Sequence, residues 1–168
     1  MKYFMNATIK QGALGLSTGL EYVPGNYADE NEIVELAKIS ALYNGVYFTH
    51  MRNEGSGLLK SIRESISIGK KAKISVQINH LKATGQNQWG WAKEALKLID
   101  SARQAGIDVS HDIYPYTAFS TISSILIPQW AMEGGQEGLR KRLADKTTSL
   151  RIKQEMAELF KRDAGGED

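Results

Sequence analysis

The chain holds three histidines, His50, His80 and His111, and no cysteine. Two of the three close short β-branched or aromatic runs. His50 ends Val46-Tyr47-Phe48-Thr49-His50, and His80 ends Ile74-Ser75-Val76-Gln77-Ile78-Asn79-His80. Residues two apart on a strand share a face. The pattern therefore predicts that His50 lies with Val46 and Phe48, and His80 with Ile74, Val76 and Ile78. Adjacent parallel strands run ~4.8 Å apart, and side chains at that spacing are close neighbours. Two neutral imidazoles there can share one Zn²⁺ at Zn–N lengths of ~2.0–2.1 Å. The competing reading is a pair of hydrogen-bonded histidines at strand ends. Two ligands also fall short of the three protein ligands usual in a catalytic zinc site. His111 lies within a strand, on the face of Val109 and Ile113, and is expected to be packed or hydrogen-bonded. Asp112 faces the other way, and both a structural and a functional role stay open for it.

Other side chains near these strand ends suit a small anionic ligand. Lys82, two residues past His80, would meet a carboxylate beside a cation, or else is a solvated loop lysine. Tyr114 and Tyr116 flank Pro115 after a strand, and Tyr22 follows another. Each could hydrogen-bond a ligand or form an amphipathic rim. Gly12, Gly15 and Gly19 do not make a dinucleotide fingerprint, and Gly55-Ser56-Gly57-Leu58-Leu59-Lys60-Ser61 lacks the glycine before lysine of a phosphate loop. No G-x-S-x-G is present, which removes the usual hydrolase nucleophile signal. The absence of cysteine excludes disulfides, Cys-ligated zinc and thiol catalysis within this chain.

These residues need a scaffold, and the chain supplies a repeating one. Strands are predicted at 13–17, 46–50, 74–80 and 108–114. Helices are predicted at 31–43, 57–70 and 91–104, with apolar residues such as Ile33, Leu36 and Ile39 at spacings of three and four. Asp29 or Asn31 caps the first helix, and Asn44-Gly45 ends it. The repeat of about 30 residues is that of a βαβ unit, so the strands pair in parallel. The fold class is α/β. Pattern alone leaves an open doubly wound sheet or part of a (β/α)8 barrel. Past Thr117 the pattern changes: 118–130 is mixed, and 136–144 and 148–161 read as charged helices. We divide the chain into a β/α part, 1–117, and a small, mostly helical appendage, 118–168. The Gly- and acid-rich end, 163–168, is expected to fray.

Composition sets the remaining bounds. The chain has 168 residues, 42% hydrophobic and 24% charged, which is a globular balance. A net charge of +2 gives no electrostatic case for nucleic acid or an anionic membrane. No apolar run approaches ~20 residues, so no membrane span is expected. The start lacks a basic head followed by an apolar block, which makes the cytoplasm the expected compartment.

Four ordered blocks resemble the N-acyl-D-amino-acid deacylases (D-aminoacylases) of the amidohydrolase superfamily. They are Gly12-Ala13-Leu14-Gly15-Leu16-Ser17-Thr18-Gly19-Leu20 with Tyr22 and Pro24-Gly25; Thr49-His50-Met51-Arg52-Asn53-Glu54; Val76-Gln77-Ile78-Asn79-His80-Leu81-Lys82; and Asp112-Ile113-Tyr114-Pro115-Tyr116-Thr117. The resemblance extends into the appendage, from Ser120 through Trp130 and Glu133-Gly134-Gly135. It implies a (β/α)8 barrel that holds zinc and hydrolyses the amide of N-acyl-D-amino acids. It implies that His50 and His80 are zinc ligands on the fifth and sixth strands. Lys82, Tyr114, Tyr22 and Ser120 would hold the substrate, Lys82 and Tyr114 at its carboxylate. The family's His-x-His, its bridging cysteine and its catalytic aspartate have no counterpart in this sequence, so the resemblance assigns no catalytic residue here. Four units are half of a barrel that needs ~250 residues, which marks the chain as a central fragment expected to be inactive alone. Two alternatives remain. One is a half-barrel that self-associates or pairs with a partner chain through open strand edges. The other is a small ligand-binding α/β domain with structural histidines.

Overall fold

The computed structural model describes residues 1–164. Strands β1 (Gly15–Gly19), β2 (Val46–His50), β3 (Ser75–Ile78) and β4 (Val109–His111) form one parallel sheet in the order β1-β2-β3-β4. Helices α2 (Glu30–Ala41), α3 (Leu58–Ala72) and α4 (Ala92–Gln104) link them, and each packs on the next. Parallel crossovers are right-handed, so strands added in sequence order keep every connecting helix on one face. A doubly wound sheet needs a reversal of strand order. None occurs among the described strands, and of the two architectures left open by the sequence, this order fits the arc of a barrel.

Burial follows the same geometry. Tyr47, Thr49, Val76, Ile78 and Val109 point under the helices and are fully buried. They join Ile33, Leu58, Ile62 and Ile99 in the main apolar cluster, apart from Thr49. Phe48 and Gln77 on the opposite face are half-buried, and Ser17 and Ser110 beside them are exposed. Tyr47 Oη meets Thr18 Oγ1 at 2.9 Å, which satisfies the one polar atom of that ring. Helix ends follow local chemistry. Asp29 Oδ1 accepts the Glu32 N–H at 2.8 Å, and Glu30 and Glu32 favour the positive end of the α2 dipole. Lys73 closes α3 in the left-handed conformation at φ 54°.

Several expected boundaries move. The strand predicted at 13–17 starts and ends two residues later. Glycine weakens a strand signal, yet Gly15 is required: a Cβ there would lie 1.9 Å from the Val46 carbonyl oxygen. The strands predicted at 74–80 and 108–114 shorten to Ser75–Ile78 and Val109–His111. Helix α1 (Lys2–Lys10) was not anticipated. It has no side-chain cap and buries only Ile9, and it is held to α2 by the Lys2–Glu35 ion pair and to Tyr43 through Asn6. Beyond β4 no further strand occurs among the described residues. Turns of 3-10 helix at Ser123–Leu126 and Gln129–Met132 precede α5 (Gly135–Ala144) and α6 (Lys146–Ala164). Of the end expected to fray, Asp163 lies within α6, where it pairs with Arg162 and accepts a bond from Ser56. Residues 165–168 lie outside the described residues. No described helix is long and apolar enough to cross a membrane.

Candidate metal centre

The two strand-end histidines meet, by a route different from the one expected. His50 continues the alternation of β2 and lies with Val46 and Phe48, away from the helices. Strand register sets Val76 opposite Tyr47 and Ile78 opposite Thr49, on the helix-covered side. Simple alternation from Val76 and Ile78 would therefore send His80 under the helices. Instead β3 ends at Ile78, and His80 takes a left-handed backbone with φ 41°. That turn swings its ring to the side of His50. Asp112 holds it: one carboxylate oxygen accepts the His80 backbone N–H, and the other accepts Gln77 Nε2 at 2.9 Å. The sequence left Asp112 undecided, and its observed role is to secure this turn. His111 lies opposite Ile78 on the helix side, apart from the other two.

The result is a row of four side chains. His50 Nδ1 and His80 Nε2 face each other at 3.0 Å, and the ring centroids are 4.6 Å apart at 69°. His50 Nε2 lies 2.7 Å from Glu21 Oε2, and His80 Nδ1 lies 3.0 Å from Glu54 Oε1. One donor each from His50, Glu54 and His80 falls within 4.8 Å of the others. Two Zn–N bonds of ~2.0–2.1 Å at a tetrahedral angle span about 3.3–3.4 Å. The facing nitrogens fit that span with an opening of a few tenths of an ångström. Imidazole with carboxylate is also a donor set suited to zinc.

Glu54 is positioned by its loop. Asn53 Oδ1 accepts the N–H groups of Gly55 and Gly57 at 3.0 and 2.7 Å, which folds the chain after β2 into a tight turn. Arg52, fixed by Glu64 and the carbonyls of Asn26 and Ala28, anchors the same loop. The Glu54 side chain is only 6% exposed, and its second oxygen pairs with Lys82. Lys82 Nζ also lies 3.0 Å from His80 Nδ1 and 5.6 Å from the centre of the Tyr114 ring.

These groups open into a cleft of about 1060 Å³ at the carboxyl ends of the strands. Its far wall comes from the segment after β4, including Phe119, Ile122 and Ile125, and from Leu159 and Phe160 of α6. Lys82, Tyr114, Tyr22 and Ser120 all line it. Tyr22 packs on His50, with ring centroids 4.7 Å apart, and its hydroxyl meets Thr121 Oγ1 at 3.1 Å. Among the described residues the buried Tyr114 hydroxyl has no hydrogen-bond partner, which leaves its capacity free for a ligand. Burial, and then the Glu54 charge, raise its pKa and keep it a neutral donor. Ser120 is exposed and forms part of the outer wall.

The sequence reading missed Glu21 and Glu54 as members of this cluster. Both lie in segments that follow the carboxyl ends of strands, where parallel α/β proteins gather functional groups. Their position relative to those ends was the available signal.

No model of a known protein family matches the sequence. The chain is 37% identical over 131 residues to the N-acyl-D-glutamate deacylase of Alcaligenes xylosoxydans xylosoxydans, covering 78% of this chain and 26% of that protein. It is 38% identical over 122 residues to the D-aminoacylase of the same organism, covering 73% and 25%. Among solved structures, the N-acyl-D-glutamate deacylase of Bordetella bronchiseptica, complexed with zinc and a phosphonate mimic of the tetrahedral intermediate, superposes with a TM-score of 0.71. That match is 30% identical and covers 95% of this chain and 40% of the other. The chain spans about a quarter of the length of the curated relatives it matches.

Proposed function

We propose that this chain, a homologue of part of the N-acyl-D-amino-acid deacylases of the amidohydrolase superfamily, supplies half of a zinc site and a substrate-carboxylate site for hydrolysis of the amide of N-acyl-D-amino acids. The observation that carries this reading is the pair of facing imidazole nitrogens, His50 Nδ1 and His80 Nε2, 3.0 Å apart at the mouth of the sheet. His50 and His80 would hold zinc there, and the bound ion would supply polarisation of an amide carbonyl and a bound water of pKa ~7.

Each candidate site residue has a task that its geometry supports. His50 and His80 hold the metal. Lys82 and the unpartnered Tyr114 hydroxyl receive the substrate carboxylate. Tyr22 braces the His50 ring and, with Ser120, borders the bound ligand. Phe119, Ile122 and Ile125 supply apolar surface along the cleft beside the bound substrate. No residue of this chain is assigned the proton transfers, and the site lacks a third imidazole among the described residues. Hydrolysis therefore needs groups from outside these 168 residues.

Two measurements test this. Calorimetric zinc titration of the chain should show one site that His50→Ala removes; equal binding by both proteins would overturn the assignment. Incubation with N-acetyl-D-amino acids and zinc should release no acetate above the metal-free control. Release by the chain alone would refute the half-site reading.

A second reading has its own observation. The outer edges of β1 and β4 pair with no other described strand, and the sheet face that carries Ser17, Phe48, Gln77 and Ser110 is only half-buried or exposed. Unpaired edges favour association, so completion of the barrel by another chain is the route by which this piece would become active. Mass measurement in solution decides: a clean monomer at all concentrations removes self-association.

A further inference from the structure

We infer that Glu21 and Glu54 are positioning residues that fix which ring nitrogen of each histidine faces the metal. This rests on the zinc-site reading above and deepens it. In the row Glu21–His50–His80–Glu54, every imidazole has one nitrogen toward the other ring and one toward a carboxylate. An ionised carboxylate only accepts hydrogen bonds. The outer nitrogens, His50 Nε2 and His80 Nδ1, must then carry the protons, and the inner nitrogens keep their lone pairs. A neutral imidazole has one proton and one lone pair, so each carboxylate selects the tautomer of its partner.

The two tautomers are opposite. His50 is protonated at Nε2 and presents Nδ1, whereas His80 is protonated at Nδ1 and presents Nε2. Two lone pairs facing at 3.0 Å repel unless a cation or a shared proton lies between them. The carboxylates thus make the gap a receptor for a cation. Metal-bound histidines commonly pass their other N–H to a carboxylate, which orients the ring and raises its basicity.

Glu54 lies within reach of a metal, and the geometry gives it the outer role. Its Oε1 faces the outer nitrogen of His80, and its Oε2 is taken by Lys82. The Lys82 ammonium, 3.0 Å from His80 Nδ1, is a pure donor and would favour a lone pair there, but its closer contact is to Glu54 Oε2, so it donates to the carboxylate and leaves the Nδ1 proton to Glu54 Oε1. Glu54 is the acceptor at that position, and it also sets its negative charge beside the Lys82 cation 3.0 Å from the ring. Without it, that cation would face the loaded site uncompensated.

The test uses the full chain and zinc. Glu21→Ala and Glu54→Ala should each weaken zinc binding roughly ten- to a hundredfold. Glu21→Gln and Glu54→Gln keep an acceptor oxygen and should recover part of the loss. Glu137→Ala, an exposed carboxylate on α5, should bind as the wild type does. Long-range ¹H–¹⁵N spectra of the zinc-loaded chain should show His50 bound through Nδ1 and His80 through Nε2, a signature that loss of fold alone would not produce. Zinc binding by Glu21→Ala within twofold of wild type, or coordination through the opposite nitrogens, overturns the inference and leaves the metal site standing. Failure of the wild type itself to bind zinc removes both.

Discussion

The left-handed turn at His80 gives the sharpest prediction, because one side chain holds it. A residue with a Cβ in that conformation costs about 1–2 kcal/mol, and His80 sits there at φ 41°. Asp112 offsets the cost by accepting the His80 backbone N–H, and the same carboxylate is braced by Gln77. A hydrogen bond to a charged group contributes about 1.5–3 kcal/mol. Asp112→Ala removes that larger contribution. The turn then loses its advantage over extended backbone, in which alternation carries the imidazole to the side of Ile78. Apparent affinity scales with the competent fraction, so zinc binding should fall by up to roughly 10- to 150-fold. Asp112→Asn retains an acceptor oxygen and should fall between the two. The assay is calorimetric zinc titration, with far-UV circular dichroism and thermal melts to confirm that each variant is folded. A folded Asp112→Ala protein that binds zinc within twofold of wild type would show that the turn holds without the carboxylate, and the reasoning would be wrong.

Three further outcomes follow from packing and charge. Gly15→Ala places a methyl 1.9 Å from the Val46 carbonyl oxygen, so β1 must shift from β2; overpacking of this kind costs at least ~1–3 kcal/mol, read as a lower melting temperature. Tyr47→Phe removes a buried hydroxyl bonded to Thr18, at a cost of about 1 kcal/mol by denaturant titration, with the ring still filling its place. The Glu30 carboxyl is held below its ordinary 4.5, first by the Lys71 hydrogen bond and then by Ser67. Folding thus favours its ionised form: the contribution is present above pH 4.5 and is lost as the pH falls through the lower folded value. Glu30→Gln should flatten that acid limb in melts recorded from pH 7 to pH 3.

The gathering of His50, His80, Lys82 and Tyr114 around one cleft was legible in the sequence, because it depends on residue type and on proximity to strand ends. Two histidines closing consecutive β/α units, with Lys82 and Tyr114 just beyond strands, place candidate groups at one rim before any coordinates. The β/α alternation, the Asp29 cap and the span of β2 were also readable, since each is set within a few residues. Glu21 and Glu54 follow strand ends too, but their pairing with the histidines was not readable, because the partners lie 29 and 26 residues away and no local pattern links them.

Only the tertiary structure decided the sheet's architecture and the way the histidines converge. Strand order is a long-range property, and the sequential order β1 to β4 favours the barrel arc over the doubly wound sheet. The face to which a strand-end side chain points depends on a single backbone angle. At His80 that angle is set by Asp112, which lies 32 residues further along the chain and beside it in space. Alternation along the strand predicts the wrong face there, because its period holds only while the backbone stays extended.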